Sequence, residues 1–432
     1  FMAGLACVPA GIMFGAFGAA YRFMKGRSLF FNTLTVSSLF VLCEYTREAL
    51  PGMVPWGGPG YALTPSPLFI QTAGIWGAYG LAWVLTAVNA LIAESARRMW
   101  IEPGMLGNRL RAVLVPAGAA LLLVAGLGAY GAWALNAWRD EVTQCGDRDS
   151  CMDAVVVQAS HGQRERWKED SFYARLETYL AMTGAQEAGR PRIVVWPETV
   201  LNSARRLQPE LFAKLAAAAG PESVLVAGGL RRGTGGMYNS VWLVSGSGEV
   251  EAYDKQILLP YAETAPVEAG ALGSYYEAPS HFLKGAGAHS AATARGRVGT
   301  SICFELLYGD FIRESVREGA GLLVNVSNDT WFGDSNMPRI HARAAVMRAV
   351  EERRYVLRAS NSGVSLIVSP AGEVLARTGL FSREAARAGV CMIGELSLFA
   401  RAGYWIVYAS ILCVMAALAL MLVRKDPTLT PS

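Results

Sequence analysis

The stretch Arg297–Glu305, "RVGTSICFE", is a β-prone apolar run that ends in a cysteine, an aromatic residue and a glutamate. Two earlier runs end in the same manner, "RIVVWPE" at Glu198 and "VEAYDK" at Lys255. Further strand candidates are "AVVVQAS", "SVLVAGGLRR", "NSVWLVSG", "GLLVNVSN" and "GVSLIVSP". Helix-like stretches alternate with them, a polar one around Arg164–Thr183 and a long Arg- and Ala-rich one from His341 to about Ala359. This alternation predicts an α/β domain of two sheets with helices on their outer faces. In such domains reactive groups gather where strands end and loops begin.

The composition around this domain is of another kind. Of the 432 residues, 52% are hydrophobic, and apolar runs lie at Met2–Ala20, Leu29–Cys43, Leu68–Ala93, Val113–Leu135 and Tyr404–Val423. Crossing a bilayer takes about 20 apolar residues, so the second run is marginal and the others qualify. The connections carrying Arg22, Lys25 and Arg27, then Arg97, Arg98, Arg109 and Arg111, and the tail with Arg424 and Lys425 are basic. The positive-inside rule puts these three in the cytoplasm and the polar domain outside it. The expected division is 1–138 for four spans, 139–402 for the outer domain, and 403–432 for a last span and a cytoplasmic tail. A net charge of +4, thinly spread, gives no reason to expect a nucleic-acid partner.

The three strand ends together define a chemistry. A thiol attacks only as thiolate, so Cys303 needs a base and a nearby cation. Glu198 supplies the first and Lys255 the second, which fits acyl transfer: Cys303 attacks a carbonyl, Glu198 handles the proton, and Lys255 with a backbone N–H stabilises the oxyanion. The four histidines, His161, His281, His289 and His341, show no ligand spacing, so no metal and no cofactor is expected. His341, opening its helix, reads as a positioning or capping residue. The glycines of "VAGGLRRGTGG" lack a following Gly-Lys-Ser/Thr and read as turns between strands. Arg343, Arg348, Arg353, Arg354 and Arg358 read as a solvated or ion-paired helix face, with phospholipid head groups as the sharper alternative.

"WPE", "YDKQILLPYAE" and "CFE", in that order, resemble the signature of the carbon-nitrogen hydrolase, or nitrilase, superfamily. The resemblance continues through "NVSNDTWFGDS", "HARAAVMRAVEERRYVLRASNSGVS" and "PAGEVLARTG". The flanking spans, "PYAE" and "EYTREALPGMVPWGGPGY" are similar to its membrane branch, the apolipoprotein N-acyltransferases. The resemblance implies a nitrilase-like αββα sandwich domain flanked by transmembrane α-helices. It also implies a ping-pong acyltransferase of the bacterial inner membrane, acting as a monomer with its catalytic domain on the periplasmic side. Its donor would be a phospholipid and its acceptor the α-amine of a diacylglyceryl-cysteine on a lipoprotein. Glu198, Lys255 and Cys303 fall on that family's catalytic positions; Glu263, Phe304 and Glu305 fall on supporting ones. Trp167 matches a tryptophan near the acyl-chain entrance. Trp56, Tyr61 and Trp331 suit the membrane interface, and Trp331 with Phe332 could form a lid over the acyl site.

Two departures accompany the resemblance. Further spans usually precede the first run, so the chain is expected to be truncated or a short form, and "VVVQASHGQ" lacks the usual Gly-Asn. Cys145 and Cys151 flank a short polar turn in a compartment that permits disulfides, and their spacing leaves bridged and free forms both open. The competing functions are a membrane-tethered amidase, with water as second acceptor, and an impaired short form serving as a scaffold.

Overall fold

The computed structural model of the chain describes all residues except 1, 27, 51–54, 102–105, 145–150, 163–170, 185–189, 204–206, 261–262, 265–280, 288–289 and 426–432, and describes no side chain of 2–10, 144 and 423–425. The chain forms two units, Phe1–Ala134 with Ala402–Ser432, and Leu135–Arg401.

The first unit is helical: α1 (Met2–Met24), α2 (Leu29–Ala49), the short α3 (Pro67–Ile70), α4 (Ala73–Trp100), most of α5 (Leu106–Gln144) and the C-terminal helix Trp405–Lys425. Among the described residues, four helices are long and apolar enough to cross a membrane. On α5 the side chains of Leu114, Leu121 and Leu122 are exposed. So continuous an apolar face is stable against lipid tails rather than water. Some buried polar groups of this unit are paired, which lowers the cost of burying them. Arg47 Nη2 donates to Glu44 Oε2 at 2.7 Å, and Trp405 Nε1 donates to the carbonyl of Ile75 at 2.8 Å. Trp56 lies half-buried in the turn before the 3-10 segment Pro59–Leu63.

The second unit contains β1 (Cys151–Gln158), α6 (Phe172–Thr183), β2 (Arg192–Leu201), α7 (Pro209–Ala219), β3 (Val224–Gly233), β4 (Gly236–Ser245), β5 (Val250–Asp254), β6 (Ser290–Thr293), β7 (Gly296–Ile302), α8 (Gly309–Arg317), β8 (Ala320–Ser327), α9 (Met337–Glu352), β9 (Tyr355–Ser360), β10 (Leu366–Val368), β11 (Val374–Arg377) and β12 (Glu384–Cys391). Two six-stranded sheets form, in the orders β12-β1-β2-β3-β4-β5 and β11-β10-β9-β8-β7-β6. β1, β2 and β3 run parallel, as do β7, β8 and β9, and the outer strands are antiparallel. The central strands carry apolar residues on both faces, the pattern of sheets covered twice. Their inner faces, with Val156, Val195, Val226, Ile302, Val324 and Leu357, make one core. On the far side of the first sheet, Val155, Val194 and Leu225 pack against Phe172 and Leu176 of α6 and Leu215 of α7. α8 and α9 pack on the second sheet. The result is an αββα sandwich.

Three local readings are corrected here. The Arg-rich helix is shorter than expected: α9 ends at Glu352, Arg353 takes a left-handed conformation (φ 54°), and 355–360 is the buried strand β9. Arg348, Arg353, Arg354 and Arg358 are accordingly buried, and only Arg343 of the five is exposed, so they form neither a solvated face nor a head-group patch; the ion-paired alternative holds for Arg348 on the helix. Carbonyls satisfy the guanidinium of Arg354, from Ala320, Glu352, Arg353 and Glu395, and Arg348 pairs with Glu351 at 2.8 Å. Gly228 and Gly229 lie inside β3, whereas Gly233 to Gly236 close the β3–β4 turn as expected, with Gly235 at φ 92°. Cys151 is bonded to Cys391, 240 residues away, because β12 returns antiparallel to β1 and sets the two directly opposite. Cys145 lies outside the described residues.

Non-reducing peptide mapping will recover the Cys151–Cys391 pair. Cys391→Ser will lower stability by about 2–5 kcal/mol in denaturant titration.

Glu352 is fully buried, and among the described residues neither of its carboxylate oxygens has a hydrogen-bond donor. Burial, and then the neighbouring Glu351, raise its pKa well above the ordinary 4.5, against the pull of Arg348, Arg354 and Arg313. The folded chain therefore holds a proton that the unfolded chain loses, so this residue's contribution to stability falls as pH rises above the ordinary value. Glu352→Gln will stabilise the protein at pH 7 by about 1–3 kcal/mol, with the difference shrinking toward pH 4.

Candidate active site

The parallel strands β2 and β7 both point their C-terminal ends at one end of the sandwich, and β5 returns to it. At the exit of β2 the register against β3 shifts between Trp196 and Leu201, and Thr199 has φ 55°. This bulge turns Glu198 inward. It needs glycine opposite, since a Cβ on Gly228 would lie 2.5 Å from the Cα of Glu198. Lys255 follows β5, with its backbone N–H donating to the carbonyl of Asn239 at 2.8 Å. Cys303 follows β7 as the first residue of a 3-10 turn, Cys303–Leu307, with φ 54°. For a residue with a Cβ that is a sparsely populated conformation.

Lys255 is 1% exposed. Its Nζ donates to Glu263 Oε1 at 2.8 Å, lies 4.0 Å from Glu198 Oε1, and sits 5.0 Å from the centre of the Phe304 ring. Asn239 Nδ2 donates to Glu198 Oε1 at 2.7 Å and to Glu263 Oε1 at 3.2 Å. Glu263 Oε2 accepts from the N–H of Leu259 at 2.7 Å, closing the loop on itself. Glu305, wholly buried, takes four hydrogen bonds. Its Oε2 accepts from Tyr253 at 2.9 Å and the N–H of Ile302 at 2.7 Å. Its Oε1 accepts from the N–H groups of Gln256 and Ile257 at 2.7 and 2.9 Å.

These contacts set the charge states. Burial pulls the pKa of Lys255 down, but Glu263 and Glu198, with Cys303 and Glu305, hold it above the ordinary value, so it stays an ammonium ion. Burial and Glu198 push the thiol of Cys303 up to about 12, against the pull of Lys255. Cys303 is therefore a thiol at rest, and a thiol can attack only as a base removes its proton. Burial raises Glu305 to about 7, opposed by Lys255 and the backbone N–H groups of Ile257, Ile302 and Gln256.

The structure thus gathers Glu198, Lys255, Glu263, Cys303, Phe304 and Glu305. Trp331 is 46% exposed and Phe332 half-buried, both in the 3-10 turn Asp329–Phe332 after β8. Trp56 belongs to the other unit, and Trp167 lies outside the described residues. Asn239, Tyr253 and Asn325 escaped the sequence reading. Their signal was a polar residue at a buried strand position, as in "YNSV" and "LVNVS".

The carbon-nitrogen hydrolase family model matches residues 154–397, and the chain belongs to that family. The apolipoprotein N-acyltransferase N-terminal domain matches residues 1–91. Apolipoprotein N-acyltransferase of Gloeobacter violaceus is 30% identical over 382 residues, covering 85% of this chain and 67% of that protein. The proteins of that name from Brucella suis biovar 1 and Rhizobium etli are 30% and 31% identical, each alignment covering 78% of this chain. The chain spans 63% of the length of either. Within the carbon-nitrogen hydrolases its branch is that of the apolipoprotein N-acyltransferases.

Glu305→Gln would turn an amide N–H₂ toward groups that are themselves donors and release the Lys255 loop from the Cys303 turn. The variant will slow alkylation of Cys303 by iodoacetamide about tenfold or more, followed on its peptide by mass spectrometry.

Proposed function

We propose that the chain takes an acyl group from a phospholipid onto Cys303 and passes it to the α-amine of an N-terminal diacylglyceryl-cysteine on a lipoprotein. The observation that carries this reading is a buried ammonium ion, Lys255, bound to Glu263 and facing Glu198, beside a thiol that is protonated at rest, in a chain with apolar helices on both sides of the domain. Glu198 removes the thiol proton as Sγ attacks the ester carbonyl. Lys255 and a backbone N–H stabilise the oxyanion, and the lysophospholipid alkoxide leaves with the proton held by Glu198. In the second half the amine attacks the thioester and gives its proton to Glu198. That proton returns to sulfur as the amide forms.

A soluble amidase gains nothing from helices on both flanks, whereas a lipid chain must come from a bilayer. Excluding water from the thioester favours the amine over hydrolysis. The basic connections support a domain on the outer side of the inner membrane. The Cys151–Cys391 bond supports the same side, since such bonds persist in oxidising compartments.

Incubation with a phospholipid labelled in its sn-1 chain will place the label on the Cys303 peptide by mass spectrometry, and a diacylated lipopeptide will then remove it as an amide. Cys303→Ser will abolish both steps. Label released only as free fatty acid, with no transfer to the lipopeptide, would make the protein a hydrolase.

A further inference from the structure

Beneath Cys303 lies a buried polar group that the acyl-transfer steps leave unused. Asp329, His341 and Arg358 are 1%, 0% and 0% exposed. Arg358 Nη2 donates to Asp329 Oδ2 at 2.8 Å and lies 3.0 Å from His341 Nδ1. Asp329 Oδ1 also lies 3.0 Å from Nδ1 and accepts from Ser327 Oγ at 2.9 Å. The other ring nitrogen, Nε2, is 3.3 Å from the carbonyl oxygen of Cys303. The same oxygen accepts from Asn325 Nδ2 at 3.1 Å. His341 lies in the second turn of α9, which starts at Met337 after the N-cap Asn336, so it is not the capping residue.

We propose that His341 is a positioning residue whose Nε2–H donates to the carbonyl of Cys303 and, with Asn325, locks the nucleophile in its left-handed turn. Three observations converge on this role. The φ of 54° at Cys303 is unfavourable for a residue with a Cβ, so something must hold it. On its N-terminal side the turn is held by the N–H of Ile302 on Glu305, and on the carbonyl side Asn325 donates and His341 Nε2 lies within hydrogen-bond distance. A relaxed turn would swing the Cα–Cβ bond and move the thiol away from Glu198 and Lys255.

The tautomer follows from the surroundings. Without a proton on Nε2, its lone pair would face the carbonyl lone pairs. At Nδ1, Arg358 favours a lone pair and Asp329 a proton, both at 3.0 Å; Asp329 already accepts from Arg358 and Ser327, whereas the carbonyl facing Nε2 can only accept, so we assign the proton to Nε2. Burial and Arg358 lower the pKa of His341 below its ordinary value, against Asp329, and keep the ring neutral. Since Nε2 meets the carbonyl, His341 does not compete with Glu198 as the base.

The inference rests on the acyl-transfer reading only for the substrate, so the test reads Cys303 directly. In the full chain in detergent, His341→Leu will slow alkylation of Cys303 by iodoacetamide about tenfold or more, followed on its peptide. His341→Gln, which keeps an N–H near the Nε2 position, will stay within about threefold of the parent. Acyl-transfer kcat will fall with alkylation while lipid KM holds. If His341→Leu reacts like the parent, or His341→Gln is as slow as His341→Leu, the proposal fails. Should the leucine variant not fold, ¹⁵N-histidine spectra of a chain with His161, His281 and His289 replaced by Gln decide: the Nε2–H tautomer supports the proposal and the Nδ1–H tautomer overturns it. Loss of alkylation in a protein that transfers no acyl group would retain the positioning role and reject the acyltransferase reading.

Discussion

One carboxylate holds the site together. Glu305 accepts from Tyr253 and from the N–H groups of Gln256 and Ile257 at the end of β5, and from the N–H of Ile302 at the end of β7. The first three belong to one sheet and the last to the other, so the side chain ties the two halves of the sandwich where Lys255 and Cys303 leave them. Four donors on two oxygens offset part of the cost of burying this carboxylate, whose pKa burial still raises to about 7. Lys255 lies one residue before Gln256, and Cys303 one residue after Ile302.

On that frame burial and charge keep Cys303 protonated at rest. Lys255 is neutralised by Glu263 at 2.8 Å and sits 4.0 Å from Glu198, and Asn239 holds both carboxylates with one amide group. The two glutamates therefore differ in task because they differ in partners. Glu263 is engaged by the ammonium ion and the N–H of Leu259, while Glu198 lies 4.0 Å from the ammonium and its charge raises the pKa of the thiol. A thiol pushed up to about 12 gains reactivity only by giving its proton to such a base.

Much of this was legible because local patterns encode it. The apolar strands ending in Glu198, Lys255 and Cys303, the helices long enough to cross a bilayer, and the family signature each occupy a short window, and strand and helix periodicity are local properties. β9 was hidden because Arg353, Arg354 and Arg358 make 353–358 read as a charged helix continuation. Those guanidiniums are buried against carbonyls and carboxylates contributed by distant segments, such as Ala320 and Glu395 for Arg354. Cys151 drew attention to its neighbour Cys145, while the strand that brings Cys391 beside it lies 240 residues on.

The sequence by itself determined the α/β class, the apolar helices before and after the domain in the chain and the polar residues at three strand ends, since periodicity, hydropathy and residue chemistry are written position by position. Only the tertiary structure decided the work of their neighbours: Asn239 bridging two carboxylates, Glu305 joining two sheets, and His341 reaching the carbonyl of Cys303. The physical reason is that a hydrogen bond is directional and short-ranged. Its partners are chosen by how the sheets close, and residues 38 to 52 positions apart in the chain become neighbours only then.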